Sequence, residues 1–545
     1  MNFEMTGHRR PLTTALGTAL ALSLLASACG SDDDAGSGSS TTEAPPPATS
    51  GGSVTVGIEG EVDSFLPGSA RWSASALFVA RAVYDPLAAF DVDGVARPYL
   101  AESITPSDDF MSWTITLRPD ITFHDGTPLD AEALRVNLDM VALQSGLTKS
   151  AFRPVQSVEV TGPLEVTMKM STPWAHLDTV LANQTGFIVA PSTIASGIAD
   201  APLGTGPFVF ESWEPDVEFS ATRYEDYWQK DAEGNQLPYL DEVAFTPIVD
   251  PDSRLSALEA GDIGLMQTQS ASQVIDFASG DIPGGVTVLI DESEGTEANI
   301  MFNNETGPFA DPNLRKAAAH AFDRQEMIDA LFEGYYDVAN GPFAEASDWG
   351  TIENFPEFDP ELAKEEVAAW SAANGGATPS VTLTVLPTTE NQLIGNYVAE
   401  QWEAVGIETQ LESVEEAAAS AALVAGNFEV VLWSFWDRPD PDALYHYLYG
   451  DSTLNFPKYR SATVDEGLDG GRPISDKEAR KAEYQKVWDD YGEQVPILWL
   501  YHVKWALAWR DGLYGVGDFT LPSGEKAQPI TYGNTFLTGV WDATS

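Results

Sequence analysis

Residues 381–436 read VTLTVLPTTENQLIGNYVAEQWEAVGIETQLESVEEAAASAALVAGNFEVVLWSFW. Taken in order, VTLTVLP, NQLIGNYVAEQWEAVG, IETQLESV, EEAAASAALVAG and NFEVVLWSFW spell strand, helix, strand, helix, strand. That alternation implies an α/β domain. On either side the character differs. Residues 206–249 are strand-rich, with Phe208 and Phe210 alternating and then Val217, Phe219 and Ala221, and VPILWLYHVKWALAW at 495–509 runs as two more strands. A chain that leaves a β-rich region, builds an α/β region and returns to β makes two lobes joined by crossing strands, with a cleft between them.

Other stretches are locally explicit. SVTVGIEGEVDSFLP at 53–67 opens on a strand, with Val54, Val56 and Ile58 alternating, and delivers Glu59, Glu61 and Asp63 into a loop. Further on, Trp113, Ile115 and Leu117 alternate with polar residues, a turn falls at Pro119 and Asp120, and residues 121–123 return as the second arm of a hairpin. Thr127 is expected to cap the next helix, with Pro128 as its first residue and Asp130 three places on, and Leu134, Leu138 and Val141 form its buried stripe. Asp311 before Pro312, Asp323 with Glu326, Asp359 before Pro360 and Ser475 with Glu478 predict further helix starts. Gly334 suits a helix end.

The first residues follow a different logic. His8, Arg9 and Arg10 precede an apolar run at 12–28, which closes on LLASACG with small Ala26, Ser27 and Ala28 before Cys29, the only cysteine. The run is short for a membrane span. Residues 1–29 resemble a bacterial lipoprotein signal with Cys29 as the lipidation site, although Ala26 stands where that signal more often has leucine; a plain secretory signal is the alternative. Residues 30–52 are almost free of apolar side chains and read as a disordered tether, reaching roughly 25–30 Å as a flexible coil.

The net charge of −55 over 545 residues excludes nucleic acid as a partner, because phosphates are repelled at every approach. The acids are spread along the whole chain, so a solubilising or salt-adapted surface explains them better than a cationic ligand, which needs only a few. No Gly-x-Ser-x-Gly elbow, Gly-Lys phosphate loop or His-Glu-x-x-His helix occurs. GTGPFV at 204–209 lacks the third glycine of a dinucleotide loop and reads as a structural turn. His124, His176, His320, His446 and His502 lie without ligand spacing, so no metal or other cofactor is expected. His124 is expected to hold the Asp125-Gly126 turn. Carboxylates are too abundant for any pair to be singled out as a glycosidase couple.

YDPLAAFDVDGVARPYLAESITPSDDF, WTITLRPDITFHDGTPLDAEAL, GTGPFVFESW with RYEDYW, and MFNNETGPFADPNLRKAAAHAFDR follow one another between residues 84 and 324. Together they resemble the extracytoplasmic solute-binding proteins of ABC importers, in the family 5 group with peptide- and nickel-binding members, over about residues 54–516. The resemblance implies an α/β, bilobed, periplasmic-binding-protein-like fold of type II, in the large three-subdomain variety, with a ligand cleft between the lobes. On that frame lobe I comprises 53–80, 191–299 and 505–545, an inserted subdomain of lobe I comprises 81–190, and lobe II comprises 300–504. The implied function is capture of a peptide or similar small solute by lobe closure, without catalysis. A monomer held to the cell membrane by its lipid anchor would then deliver the solute to ABC permease subunits. An extracytoplasmic hydrolase of peptides or glycans, and a sensing or adhesion module without a permease, are the competing readings.

VVLWSFWDRPDPDALYHYLYG at 430–450 carries the site expectation. Trp433, Phe435 and Trp436 cannot all face the core, because successive strand residues alternate sides, and ligands of open α/β sheets bind at the carboxyl ends of strands. Peptide-binding members of the family have here a tryptophan, then an aspartate for the peptide's amino group, then Asp-Pro. Counting back from Asp440-Pro441 puts Asp437 on that aspartate, whereas counting forward from Trp433 lands on Trp436. Asp437 either faces the ligand, or caps the Pro439–Pro441 turn or pairs with Arg438. Trp433 and Trp436 supply flat area for an amphipathic solute. Family positions add Glu59, Glu61 and Asp63 from lobe I, and Asn303 or Asn304 from the crossover. No arginine stands between residues 370 and 428, where some dipeptide binders place one for the carboxyl end, which favours a longer peptide or another solute.

Overall fold

In the computed structural model, which describes residues 45–62, 64–69, 72–197, 200–291, 296–344, 347, 349–436 and 440–544, the run that alternates strand and helix builds a five-stranded sheet. Its spatial order is Glu408–Ser413, Ser380–Val385, Val430–Trp436, Thr296–Phe302, Ile497–Val503. The first three strands are mutually parallel, and Thr296–Phe302 pairs antiparallel with Val430–Trp436 on one side and Ile497–Val503 on the other. Parallel neighbours need a long return, and the helices Thr389–Val405 and Glu416–Ala425 supply it. Both end on glycines in the left-handed region, Gly406 and Gly426. Ile300, Leu383, Val398, Trp402 and Val431 meet in the core beneath.

A seven-stranded sheet holds the β-rich flanks together. Its centre is the strand Ser53–Ile58, parallel to Glu242–Pro247 on one side and to Leu265–Thr268 on the other. Between these two strands' partners and the helix Ala74–Val83 lies a second core that includes Val54, Val56, Phe78 and Phe245. A third, four-stranded antiparallel sheet, Ala101–Pro106, Ser112–Leu117, Glu165–Met170, Val155–Gly162, has its own core, in which Trp113, Ile115 and Leu117 meet Leu134, Leu138 and Val141.

Some local expectations shift. Residues 121–123 are not the arm of a hairpin: Ser112–Leu117 pairs with Ala101–Pro106 and Glu165–Met170, and Thr122 makes only an isolated bridge to Pro128. The following helix begins at Ala131, capped by Asp130, whose carboxylate accepts from the Ala133 amide. Thr127 lies four residues before the helix starts and belongs to the preceding loop, where its hydroxyl donates to Asp125 at 2.6 Å. Likewise Asp476, one residue beyond Ser475, caps Lys477–Gln494. Asp311, Asp323 and Asp359 cap their helices as their spacing predicts. Val217 is exposed in the turn between the strands Phe208–Glu214 and Glu218–Arg223 rather than paired within them.

Two connections join the seven- and five-stranded sheets. Val286–Ile290 leads into Thr296–Phe302, and Ile497–Val503 leads into Ala506–Arg510. Ile290 pairs with Ala506 and Thr296 with Val503, so the strands that flank the two connections are paired at both ends. Among the described residues no helix is long and apolar enough to cross a membrane.

Candidate ligand-binding cleft

Three pieces of chain converge beside these connections. The helix Ala74–Val83 is capped by Ser73, whose hydroxyl accepts from the Ala76 amide, and carries one charged residue, Arg81. Its carboxyl end is gripped by the GTGPF turn. Gly206 donates its amide to Val83 O at 3.0 Å, and a Cβ there would stand 2.5 Å from the Val83 carbonyl carbon, so the approach needs glycine. His124 completes the clasp by donating from Nε2 to Gly206 O at 2.9 Å. Burial pushes its imidazole down to about 4, so the ring is neutral and structural. Both sequence motifs act here as a joint between the first helix and the four-stranded-sheet region.

The second piece is residues 177–187. The helix Leu177–Leu181 is followed by a short turn of helix, Gln184–Gly186. Gln184 accepts from the Trp72 amide at 3.1 Å and donates to Pro67 O at 2.7 Å, which ties this turn to the loop preceding Ala74–Val83.

The third piece follows the strand Val430–Trp436. Asp440 caps the short helix Pro441–Leu444 and forms a two-pronged ion pair with Arg480, at 2.6 and 2.7 Å. Burial alone would raise the Asp440 carboxyl; the Arg480 guanidinium reverses this and holds it below the usual carboxylate range. Asp442, fully buried, accepts from Arg472 Nε and from Trp174 Nε1, both at 2.6 Å. Arg472 lies over the rings of Tyr445 and Trp174 and donates to Ala151 O at 2.7 Å. Further bonds join Ala175 to Arg472, His176 to Ile474 and Ser150 to Ser452. The segment 440–474 is therefore bolted across to the region of the four-stranded sheet.

Between these pieces lies a cavity of about 50 Å³ walled by Leu147, Ala151 and Val180 on one side and Asp442, His446 and Leu454 on the other, with Asn183 and Gln184 between. Since one water needs roughly 10–15 Å³ on this measure, there is room for a handful of atoms in this arrangement of the walls. Nearer the two connections, Glu390 of the helix Thr389–Val405 accepts from the Ala271 amide and from the Tyr501 hydroxyl, each at 3.1 Å. Burial pushes its carboxyl up despite those bonds.

The residues expected from sequence are distributed differently. Glu59 accepts from Arg254 at 2.8 Å and from the Gln269 amide and side chain. Glu61 accepts from the Val62 amide and the Trp213 indole. Asn303 donates to Gly426 O and Phe428 O, accepts from the Glu305 and Thr306 amides, and is buried at the end of its strand remote from the connections. Asn304 donates to Phe302, Pro457 and Pro496 carbonyls. Trp433 is packed into the core of the five-stranded sheet with Phe435. None of these lines the cavity. Cys29, Asp63, the Trp436 side chain and Asp437 with Arg438 lie outside the described residues. Of the residues that do wall the cavity on the far side, Asp442 and His446 belong to the run singled out in sequence, a few places beyond Asp437, and Leu454 lies just past its end. Trp174, Arg472 and Gln184 carry no local pattern that marks them, because their partners are distant in the chain. Among the described residues no three His, Cys, Asp or Glu side chains are grouped to hold a metal ion.

Comparison with known proteins bears on this arrangement. The family model described as bacterial extracellular solute-binding proteins, family 5 Middle, matches residues 96–456. The glutathione-binding protein GsiB of Pectobacterium atrosepticum is 23% identical over 438 residues, covering 77% of this chain and 83% of its own. Among solved structures, the oligopeptide-binding protein AppA of Bacillus subtilis, in complex with a nonapeptide, superposes with a TM-score of 0.78 at 22% identity and covers 91% of this chain and 100% of its own. The dipeptide-binding protein of Pseudoalteromonas sp. SM9913, in complex with Met-Leu, does so with a TM-score of 0.79 at 18% identity, covering 90% and 100%. The bilobed α/β fold is theirs, and with the family model matching well over half of its length the chain belongs to the bacterial extracellular solute-binding proteins of family 5.

Proposed function

We propose that this protein captures a small organic solute of the peptide class outside the cytoplasm and passes it, chemically intact, to the permease of an ABC importer. The observation that carries the reading is a cavity walled from both sides of a molecule whose two large sheets share only two adjacent connections. A guest that touches both walls favours the arrangement in which they are close, because only that arrangement makes both sets of contacts. A peptide is larger than the space between the walls as they stand, so entry requires the walls to part. The moving units in this reading are lobe I (53–80, 191–299, 505–545) with its inserted subdomain (81–190), and lobe II (300–504). The relatives named for glutathione and peptides support the solute class. Asp437 and Trp436 immediately precede the wall segment and are kept in this reading as ligand-facing residues. Cys29 would carry the lipid that tethers a monomer to its membrane through residues 30–52.

Equilibrium dialysis against a mixture of short peptides, followed by mass spectrometry, tests this. Intact peptides enriched on the protein side, with a fall in radius of gyration by small-angle scattering, are expected. Progressive disappearance of the peptides would favour the hydrolase reading instead.

A further inference from the structure

Buried arginines in this protein come with acceptors. Arg254 has Glu59, Arg472 has Asp442 and Arg480 has Asp440. Arg315 and Arg324 lie against backbone carbonyls, Arg315 with Phe309 O at 2.7 Å and Arg324 with Trp499 O at 3.1 Å. Arg81 has neither kind of partner among the described residues: its Nε and Nη1 are shut off from solvent without a hydrogen bond. Its guanidinium lies 4.5 Å from the centroid of the Phe536 ring and 6.0 Å from that of Phe187, contacts that offset only part of the lost hydration. Burial pushes the group down to about 10, which leaves it charged at neutral pH.

Arg81 lines a small cavity of about 10 Å³ with Trp72, Phe187, Thr531 and Tyr532. Trp72 is fully buried, and its indole Nε1 is likewise without a partner. Two neighbouring side chains that line one cavity thus hold unmet donors, and the obvious acceptor nearby, Gln184 Oε1, is already bonded to the Trp72 amide. One water needs roughly 10–15 Å³ on this measure, so the space is that of a single water and a carboxylate enters it only as the walls part. The cavity shares the lining residues Asn183 and Gln184 with the larger one, so the two lie next to each other.

We infer that Arg81 and Trp72 form a receptor for a carboxylate at one end of the captured solute, the guanidinium and the indole donating to its oxygens. This deepens the proposed function and rests on it. A planar carboxylate takes paired bonds from a guanidinium, and guanidinium donors shut off from solvent without an acceptor are a cost that a bound acceptor relieves. Arg81 stands on the first helix and Trp72 just before it, far in sequence from residues 370–428, which hold no arginine.

The test uses the purified protein with two matched libraries of three- to six-residue peptides, one with free carboxyl ends and one with carboxamide ends, read by equilibrium dialysis and mass spectrometry. The wild type is expected to prefer the free acids by roughly 10- to 100-fold, the range for hydrogen bonds to a charged group. Arg81→Met is expected to abolish that preference, and Arg81→Lys to retain part of it. Because the cation is uncompensated without ligand, Arg81→Met is also expected to melt no lower than the wild type in the absence of peptide. Equal retention of acids and amides by the wild type, or an undiminished preference in Arg81→Met, overturns the carboxylate receptor while leaving solute binding intact. Retention of neither library overturns the peptide reading beneath it. A large fall in the ligand-free melting temperature of Arg81→Met would make Arg81 a structural residue and overturn its assignment.

Discussion

Asp442 shows what a single carboxylate does in this molecule. It neutralises Arg472 and anchors the Trp174 indole, and both partners are buried with it. Asp442→Ala should therefore cost about 3–5 kcal/mol, because it strands a buried guanidinium, and urea unfolding would measure it. A loss below about 1 kcal/mol would class the pair with exposed ones. Asp85 behaves in the opposite way. It accepts from Tyr227, Trp228 and Thr205, but burial outweighs these bonds and pushes its carboxyl up to about 7. A carboxyl raised in the folded state favours folding below its unfolded value near 3.8, and that advantage is lost as pH climbs through the folded value. The stability of the wild type relative to Asp85→Asn should accordingly fall between pH 4 and pH 7, by up to about 4 kcal/mol. Urea melts at several pH values read it, and a difference that stays flat would mean Asp85 ionises normally. Neither acid stands out in the sequence. Among so many carboxylates, only burial and distant partners separate these from the solvated rest, and neither is written locally. Arg81 is hidden for the same reason: its meaning lies in what does not surround it.

Elements were more legible than residues. The strands and helices of 381–436 could be read because each is long enough for its period to show, and the aspartate caps at 311, 323 and 359 because a cap acts within a few residues of itself. The shifts occurred where two candidates for one role stood close together, Thr127 with Asp130 and Ser475 with Asp476, and in each the aspartate nearer the helix became the cap. The run 430–450 contains residues that wall the candidate cavity, in the turn of helix after the strand, while Trp433 packs into the core. The short turn Gln184–Gly186 offers an element-level test. A Cβ at Gly186 would lie 1.8 Å from Leu181 O, so Gly186→Ala must displace backbone. It should lower stability by about 1–3 kcal/mol and weaken peptide retention as Asn183 and Gln184 move. Unchanged melting and unchanged retention would show that this turn neither resists displacement nor shapes the site.

At the scale of the whole molecule, a net charge of −55 repels itself. Raising salt from about 0.1 M to 1 M shortens the screening length from about 10 Å to about 3 Å, and the melting temperature should rise by a few degrees at constant pH. A flat or falling curve would show that the acids are already too dispersed to strain the fold. The overall plan, two lobes and a return, was readable because it depends on the order of α/β and β segments, whereas the faces that meet were not, since they join residues hundreds of positions apart, as Ser150 joins Ser452.

The paired connections between the large sheets have a mechanical corollary. With Ile290 beside Ala506 and Thr296 beside Val503, two covers that part and meet as proposed would share one spine and open along the fore-edge opposite it. A membrane complex that distinguishes a filled molecule from an empty one has to span that fore-edge and feel both covers together.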